Sequence, residues 1–151
     1  MEQIFDVVLD VGAYQNFLPW CQKSVILSDG HNKMLAEMTI GIPPLSERYT
    51  SKVSYRRPFH IRAVSEHGRL FNHLVNDWRF SPGLRSEPNS CIVDFSVSFE
   101  FKSALQAKLG NVFFDETAEA MTSAFYKEAQ RRYGKESLPA VKIQIIPKEE
   151  L

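Results

Sequence analysis

Apolar positions along the chain keep two different periods. Over residues 2–10, Ile4, Phe5, Val8 and Leu9 fall on one stripe and predict a short amphipathic helix. Asp10 stands where it can cap a second short helix carrying Ala13, Tyr14, Phe17 and Leu18. Pro19 ends that helix, because its ring clashes with the preceding turn and it has no N–H. From Gln22 to Lys102 the period falls to 2. Met34, Ala36, Met38, Ile40 and Ile42 alternate with Lys33, Leu35, Glu37 and Thr39, and Tyr49, Val53 and Tyr55 alternate with Arg48, Lys52 and Arg56. A short strand over 60–66 and another over Leu70–Phe80 follow, and then Val93, Phe95, Val97, Phe99 and Phe101 alternate with Asp94, Ser96, Ser98 and Glu100. Alternation of this kind describes strands wet on one face and buried on the other. Asp29-Gly30, Pro43-Pro44, His67-Gly68 and Pro82-Gly83 supply the turns, and such short connections predict an antiparallel meander.

The period then returns to 3.6. Ser103 and Gln106 form a capping box ahead of a long helix whose face holds Leu105, Leu109, Val112, Phe113, Ala120, Met121, Ala124 and Phe125. It runs to about Tyr133, where Gly134 suits a left-handed stop. At 1.5 Å per residue this helix is roughly 45 Å long, enough to cross a whole curved sheet. Residues 1–134 therefore read as one α+β domain, and 135–151 as a tail in which Val141, Ile143 and Ile145 alternate like a strand.

Composition narrows the function more than the fold. The 151 residues are 44% hydrophobic and 24% charged, which is too apolar for a disordered chain. Eighteen basic against 18 acidic side chains give no net charge, against the strongly basic balance of a dedicated nucleic-acid binder. Two cysteines, Cys21 and Cys91, make neither a disulfide framework nor a zinc pattern, and no apolar run reaches the length of a membrane span. What departs from the ordinary is 11 phenylalanines against 2 tryptophans and 5 tyrosines, a large apolar area without polar handles.

Signals for catalysis are sparse: there is no glycine-rich phosphate loop, no GxSxG and no HExxH. His31, His60, His67 and His73 scatter over turns and strands, and Asp115, Glu116 and Glu119 read as a solvated helix face. A binding cavity is the better expectation. One helix laid over a curved sheet leaves apolar space on the concave side, and strand parity turns Leu74, Trp78, Phe80, Phe95, Phe99 and Phe101 toward it. Asn72 and Asn76 share the parity of Leu74 and Trp78, and a buried amide must be hydrogen-bonded, so both are candidates to meet a ligand carbonyl. Arg48, Lys52, Arg56, Arg57 and Arg62 lie within fifteen residues that contain no acid. They read as the wet face of two strands or as a contact for an anionic membrane, worth about 1 kcal/mol per basic residue near the surface.

Five segments together carry a family resemblance: NFLPWCQKS at 16–24, GIPPLSERYTS at 41–51, GRLFNHLVNDWRFSPG at 68–83, DFSVSFEFKS at 94–103 and NVFFDE at 111–116. The chain resembles the mitochondrial coenzyme Q-binding START-domain family of the polyketide cyclase/dehydrase-like superfamily. The resemblance implies a helix-grip fold, with a curved antiparallel sheet wrapped around a long C-terminal helix and a hydrophobic tunnel. It implies binding of ubiquinone or a similar polyprenyl lipid by a carrier or chaperone, without catalysis or a catalytic cofactor. That carrier would support respiratory electron transfer and ubiquinone biosynthesis from the matrix side of the mitochondrial inner membrane. Phe17, Leu18 and Trp20 would then flank the tunnel mouth beside Pro43 and Pro44, with Trp78, Phe80 and Phe113 in the wall. Met38, Ile40, Tyr49, Asn72, Leu74, Asn76, Phe95, Phe99, Leu109 and Met121 complete the candidate cavity residues. Relatives carry a strand before the first helix and a targeting peptide, and this chain starts at the helix. The tail is therefore a candidate to pair with an open sheet edge. Two other functions stand as alternatives, an aromatase/cyclase acting on a polyketide-like substrate in the same cavity and an assembly factor contacting a quinone-biosynthesis complex, with the cavity incidental. Quinone-biosynthesis or respiratory proteins are candidate partners.

Overall fold

The alternating stretch folds into six antiparallel strands that pair strictly in chain order: β1 Cys21–Gly30, β2 Lys33–Ile42, β3 Leu45–Arg56, β4 His60–Glu66, β5 Phe71–Pro82 and β6 Cys91–Phe101. Before them come helix α1, Glu2–Leu9, and a 3-10 helix, Val11–Asn16, and after them helix α2, Ala104–Tyr133. The computed structural model describes residues 1–42, 45–66 and 68–141; the side chains of Ile42, Leu45 and residues 105–118 fall outside that description. The expected strand over 141–145 therefore lies outside the described residues, apart from an exposed Val141. Among the described residues no helix is long and apolar enough to cross a membrane.

The helices share one face of the sheet. Phe5 of α1 is fully buried and meets Tyr55 and Phe80 edge to face, at 6.4 and 5.5 Å between ring centroids. Phe125 of α2 is pinned by three such contacts, to Trp78 at 5.0 Å and to Tyr14 and Phe17 at 5.3 Å each. Trp78 continues the cluster to its cross-strand neighbour Phe95 at 4.2 Å. Alternation thus sorts the strands as expected, with Ala36, Met38, Val53, Ile61, Trp78 and Phe80 in one core. Helix α2 begins directly after Ser103 and ends before Gly134, whose φ of 88° is the left-handed stop. Ala120, assigned to its apolar face, is exposed.

Three local expectations change. Strand β1 had no alternating signature, since Val25, Ile26 and Leu27 are consecutive and exposed and its register breaks between Cys21 and Lys23 and between Ile26 and Ser28. Its edge is closed by the 3-10 helix segment instead. The Ser24 N–H donates to Gln15 Oε1 at 3.1 Å, the Gln15 N–H donates to Ser24 Oγ at 3.2 Å, and that hydroxyl donates to the Gly12 carbonyl at 3.1 Å. The hairpin turn sits on His31-Asn32, not on Asp29-Gly30, with Asn32 at a φ of 58° that asparagine tolerates. Asp10 makes no side-chain cap; its carboxylate pairs with Arg132 at 2.9 Å and so ties the end of α1 to the end of α2.

Glu128 completes that tie. It is buried on α2, with 7% of its surface exposed, and accepts hydrogen bonds from Arg131 at 2.7 and 2.9 Å and from Arg132 at 2.8 Å. The Arg131 bonds outweigh burial, Arg132 adds to them, and the carboxyl is held down to about 2 from an ordinary 4.5. The folded chain therefore takes up this proton less readily than the unfolded chain. The resulting stability is complete above about pH 4.5 and is lost as the pH falls toward 2. Glu128→Gln is expected to lose about 1–3 kcal/mol at pH 7 and to flatten the acid dependence of stability. Thermal melts between pH 2 and 7 measure both, with Asp77 and Glu136 among the remaining acid-sensitive contributions.

Candidate functional site

Register fixes which side chains share the concave face beneath α2. Moving from the end at α1 toward the end where α2 begins, one row holds Tyr55, Ile61, Trp78 and Phe95, and the next holds Met34, Val53, Ala63, Asn76 and Val97. Ala36 then faces Ser51, and Ser65, Leu74 and Phe99 run across the neighbouring strands. Continuing the β3–β4 register from Lys52 and Val64 brings Ser51 opposite Ser65. Beyond this row come Met38 with Tyr49, Ile40 with Glu47, and Phe71 with Phe101.

The first row is closed by the Phe125 cluster, whereas Leu74, Asn76, Val97, Phe99, Phe71 and Phe101 are only half-buried. Phe71, Phe99 and Phe101 form their own ring cluster, with centroids 4.9 to 5.9 Å apart. Phe71 reaches this face because of a bulge: the register shifts between Phe71 and His73, so the residue between them leaves the alternation. Asn72 is accordingly exposed, and the expected inward pair of amides reduces to Asn76.

The other candidates divide between this face and the core. Phe80 packs on Phe5 beneath α1, and Phe17 lies in the Phe125 cluster rather than at an opening. Leu18 is buried, and Trp20 is half-buried, with its carbonyl accepting from the Gly41 N–H at 2.9 Å. That bond places the Trp20 segment beside the β2–β3 connection. Met38 is buried, while Ile40, Tyr49 and Met121 are partly buried against the core. Pro43 and Pro44, and the side chains of Leu109 and Phe113, lie outside the described residues.

Polar groups on the concave face behave in two ways. Glu47, 1% exposed, takes the Arg69 N–H at 2.9 Å on one carboxylate oxygen and the Leu70 N–H on the other. A Cβ on Gly68 would come within 3.1 Å of that carboxylate, so glycine leaves the space this clamp needs. Glu47 thus fastens the β4–β5 turn to β3. By contrast Ser51 and Ser65 are each 4% exposed, and among the described residues neither hydroxyl has a hydrogen-bond partner. Tyr49 has only the Met38 thioether, 3.8 Å from its hydroxyl, and Asn76 has no side-chain partner among the described residues. Burial first, then Cys21 and Glu47, push the Tyr49 phenol well up, so it remains a donor. Sequence reasoning passed over Glu47, Ser51 and Ser65, although all three share the parity of Tyr49 or Leu74.

On the opposite, convex face the basic stretch is largely matched by carboxylates from elsewhere in the chain. Arg48 pairs with Glu37 at 2.9 Å and Arg62 with Asp77 at 3.0 Å, while Arg57, just past the end of β3, turns to α1, where it pairs with Asp6 and lies over the Phe5 ring at 5.0 Å. Lys52 and Arg56 have no carboxylate partner among the described residues, and Arg56 instead lies over the exposed Phe59 ring at 5.7 Å. Asp77 also takes His60 Nε2 at 3.0 Å and Arg79 Nε at 3.1 Å. Burial pushes its carboxyl up, but the hydrogen bonds from His60, Arg79 and Arg62 outweigh it and hold it below its ordinary value. This acid–histidine pair joins strands on the face turned away from α2. Both cysteines are free, and no cluster of three histidine, cysteine or acidic side chains could hold a metal among the described residues.

Comparison with known proteins adds relatives to this geometry. The family described as "Polyketide cyclase / dehydrase and lipid transport" matches residues 1–126. The chain is 48% identical over 139 residues to the mitochondrial coenzyme Q-binding protein COQ10 homolog B of Xenopus laevis, and 44% identical over 138 residues to mitochondrial coenzyme Q-binding protein COQ10 of Drosophila melanogaster. These alignments cover 92% and 91% of this chain but 57% of each relative, so the chain spans little more than half their length. It is also 32% identical over 132 residues to the ribosome association toxin RatA of Pseudomonas aeruginosa, covering 87% of this chain and 88% of the toxin. Among solved structures, the Zhui aromatase/cyclase from Streptomyces sp. R1128 superposes with a TM-score of 0.75 at 16% identity, over 87% of both chains. A START superfamily protein from Mycobacterium smegmatis superposes with 0.73 at 18% identity, over 87% of this chain and 90% of that one. At such identities these two speak for the fold alone, a START-like helix-grip arrangement.

The Glu47 clamp makes its own prediction. Glu47→Ala removes the buried acceptor of the Arg69 and Leu70 amides and is expected to destabilise the fold by about 1–3 kcal/mol. Urea denaturation measures the loss, and faster hydrogen exchange at the Arg69 and Leu70 amides locates it.

Proposed function

The chain belongs to the polyketide cyclase/dehydrase and lipid transport family, and from that premise we propose that it binds ubiquinone, or a similar polyprenyl lipid, between the concave face of the sheet and α2. One observation supports this most: the apolar concave face continues past the Phe125 cluster as a half-buried stretch of Leu74, Val97, Phe99, Phe71 and Phe101. An isoprenoid tail is the partner such a surface suits. Burying it gains on the order of 0.8 kcal/mol per CH₂, so several isoprene units give ample affinity without any charge. The relatives at 44–48% identity carry coenzyme Q binding in their names.

In this reading the protein is a carrier or chaperone that supports respiratory electron transfer and ubiquinone biosynthesis. It works in the mitochondrion, on the matrix side of the inner membrane. Lys52 and Arg56, together with the exposed Phe59, are the groups left to meet an anionic bilayer, because Arg48, Arg57 and Arg62 are already paired. The chain is a binding protein and not a catalyst. The inward acid Glu47 has both carboxylate oxygens engaged by backbone amides, which leaves it a poor general base for an aromatase/cyclase reaction.

Native mass spectrometry of the gently purified protein is expected to find ubiquinone bound one to one. An empty protein accompanied by quinone-biosynthesis or respiratory proteins would favour an assembly role instead. Leu74→Arg, which puts a charge on the concave face, is expected to abolish the bound quinone. Lys52→Glu with Arg56→Glu is expected to weaken flotation with anionic liposomes at low salt and to remove its salt dependence, while leaving quinone bound.

A further inference from the structure

Among the described residues the concave face carries a contiguous group of four polar side chains that the fold itself does not use. Ser51 and Ser65 are each 4% exposed, and among the described residues neither hydroxyl has a hydrogen-bond partner. Asn76 is half-buried and likewise has no side-chain partner among the described residues, and the Tyr49 hydroxyl has a thioether 3.8 Å away as its sole partner among them. A buried hydroxyl without a partner costs about 1–3 kcal/mol, so alanine or valine would be the stable choice at Ser51 and Ser65. Tyr49 and Ser51 are successive inward residues of β3, Ser65 faces Ser51 across the β3–β4 pair, and Asn76 lies diagonally beside Ser65 on β5. Opposed residues on neighbouring strands have Cβ atoms about 4.5–5.5 Å apart, a spacing comparable with oxygens on opposite sides of a six-membered ring. Among the described residues nothing charged joins the group. The nearest inward carboxylate, Glu47, is consumed by the Arg69 and Leu70 amides.

We propose that Tyr49, Ser51, Ser65 and Asn76 form the seat for the ligand's head: a flat, neutral ring bearing carbonyl or ether oxygens, held by hydrogen bonds from hydroxyl and amide groups. This rests on the lipid-binding reading and sharpens it by giving the ligand a direction. The head lies midway along the sheet, against the last row before the Trp78–Phe125 cluster closes the interior. The tail runs the other way, over Leu74 and the Phe71, Phe99 and Phe101 rings toward the start of α2. Neutral donors recognise acceptor oxygens without demanding a charge, so an anionic head such as a phosphate or a fatty carboxylate is disfavoured here.

The test compares two probes partitioning from neutral liposomes onto the protein: a ubiquinone with two isoprene units, and squalene, an isoprenoid hydrocarbon with no ring. The double variant Ser51→Ala/Ser65→Ala is expected to weaken quinone binding tenfold or more and to leave squalene binding within twofold. Tyr49→Phe, which keeps the ring packing, is expected to weaken quinone binding a few-fold. Because the two serine hydroxyls support nothing else, the double variant should melt no lower than the wild type. Quinone affinity unchanged in both variants, or equal weakening of both probes, would overturn the seat. Wild-type protein that takes up squalene and no quinone would overturn it as well while sparing the apolar face. Uptake of neither probe would overturn the lipid reading itself.

Discussion

Phe125 is the point at which the long helix is fastened. Its ring meets Trp78, Tyr14 and Phe17 edge to face, so one side chain of α2 touches the middle of the sheet and the segment that leads into the edge strand. Aromatic pairs of this geometry contribute about 0.5–1.5 kcal/mol beyond their buried area, and three converge on one residue. The Asp10–Arg132–Glu128 chain then fixes the same third of the helix to α1. All the described anchoring of α2 to the other helices lies at one end. The other end is held through the strand it leaves, where the Lys102 N–H donates to the Leu70 carbonyl at 2.8 Å. Glu47 in turn holds the Leu70 turn to β3. A helix fixed tightly at its C-terminal third and through loops at its start leaves the concave face packed at one end and half-buried at the other.

The treatment of buried polar groups follows the same division. Among the described residues three carboxylates are buried, Glu47, Asp77 and Glu128, and each is met by two or three donors. An uncompensated buried charge would cost far more than the few kcal/mol by which a domain of this size is stable, so these sites had to be satisfied for the chain to fold at all. Each also joins segments distant in sequence: strand to turn, strand to strand, helix to helix. A neutral hydroxyl costs much less to leave alone, and the unpartnered ones are not scattered. They sit together on the concave face, beside its half-buried stretch. Groups with a structural task are paired, and the group without one is the one proposed to seat a ligand.

Most of the architecture was legible because periodicity is a direct record of which face is buried. The change of period from 3.6 to 2 and back marks the helices and the meander, and Gly134 marks the helix stop. What escaped did so for definable reasons. Strand β1 lies at an edge with irregular register, so Val25, Ile26 and Leu27 carry no alternation to read. Asn72 shared the parity of Leu74 in sequence, but a single extra residue at the β5 bulge turned it outward and brought Phe71 in. Three members of the basic stretch seemed unbalanced because their acids, Asp6, Glu37 and Asp77, come from elsewhere in the chain. Ser51, Ser65 and Glu47 are different. Their inward parity was available throughout, and polar residues on an otherwise apolar face are the more informative half of such a pattern.

The neutral groups of the proposed head seat bear on how a lipid carrier would exchange its ligand. Tail burial gives most of the affinity, but a bilayer solvates the tail equally well, so that contribution nearly cancels when the ligand passes between protein and membrane. What remains is the head. A hydrogen bond to a charged group contributes about 1.5–3 kcal/mol, and one between neutral groups about 0.5–1.5. Two or three neutral bonds therefore bias the ring toward the protein by one or two orders of magnitude in equilibrium constant, enough to select it over a bare hydrocarbon. An arginine or lysine at Ser51 or Ser65 would add affinity but would bury a charge whenever the site was empty, at a cost the fold avoids everywhere else by pairing. In the proposed seat, serine, tyrosine and asparagine would select the head while leaving both the loaded and the empty protein stable, and a protein that binds and returns the same molecule needs both.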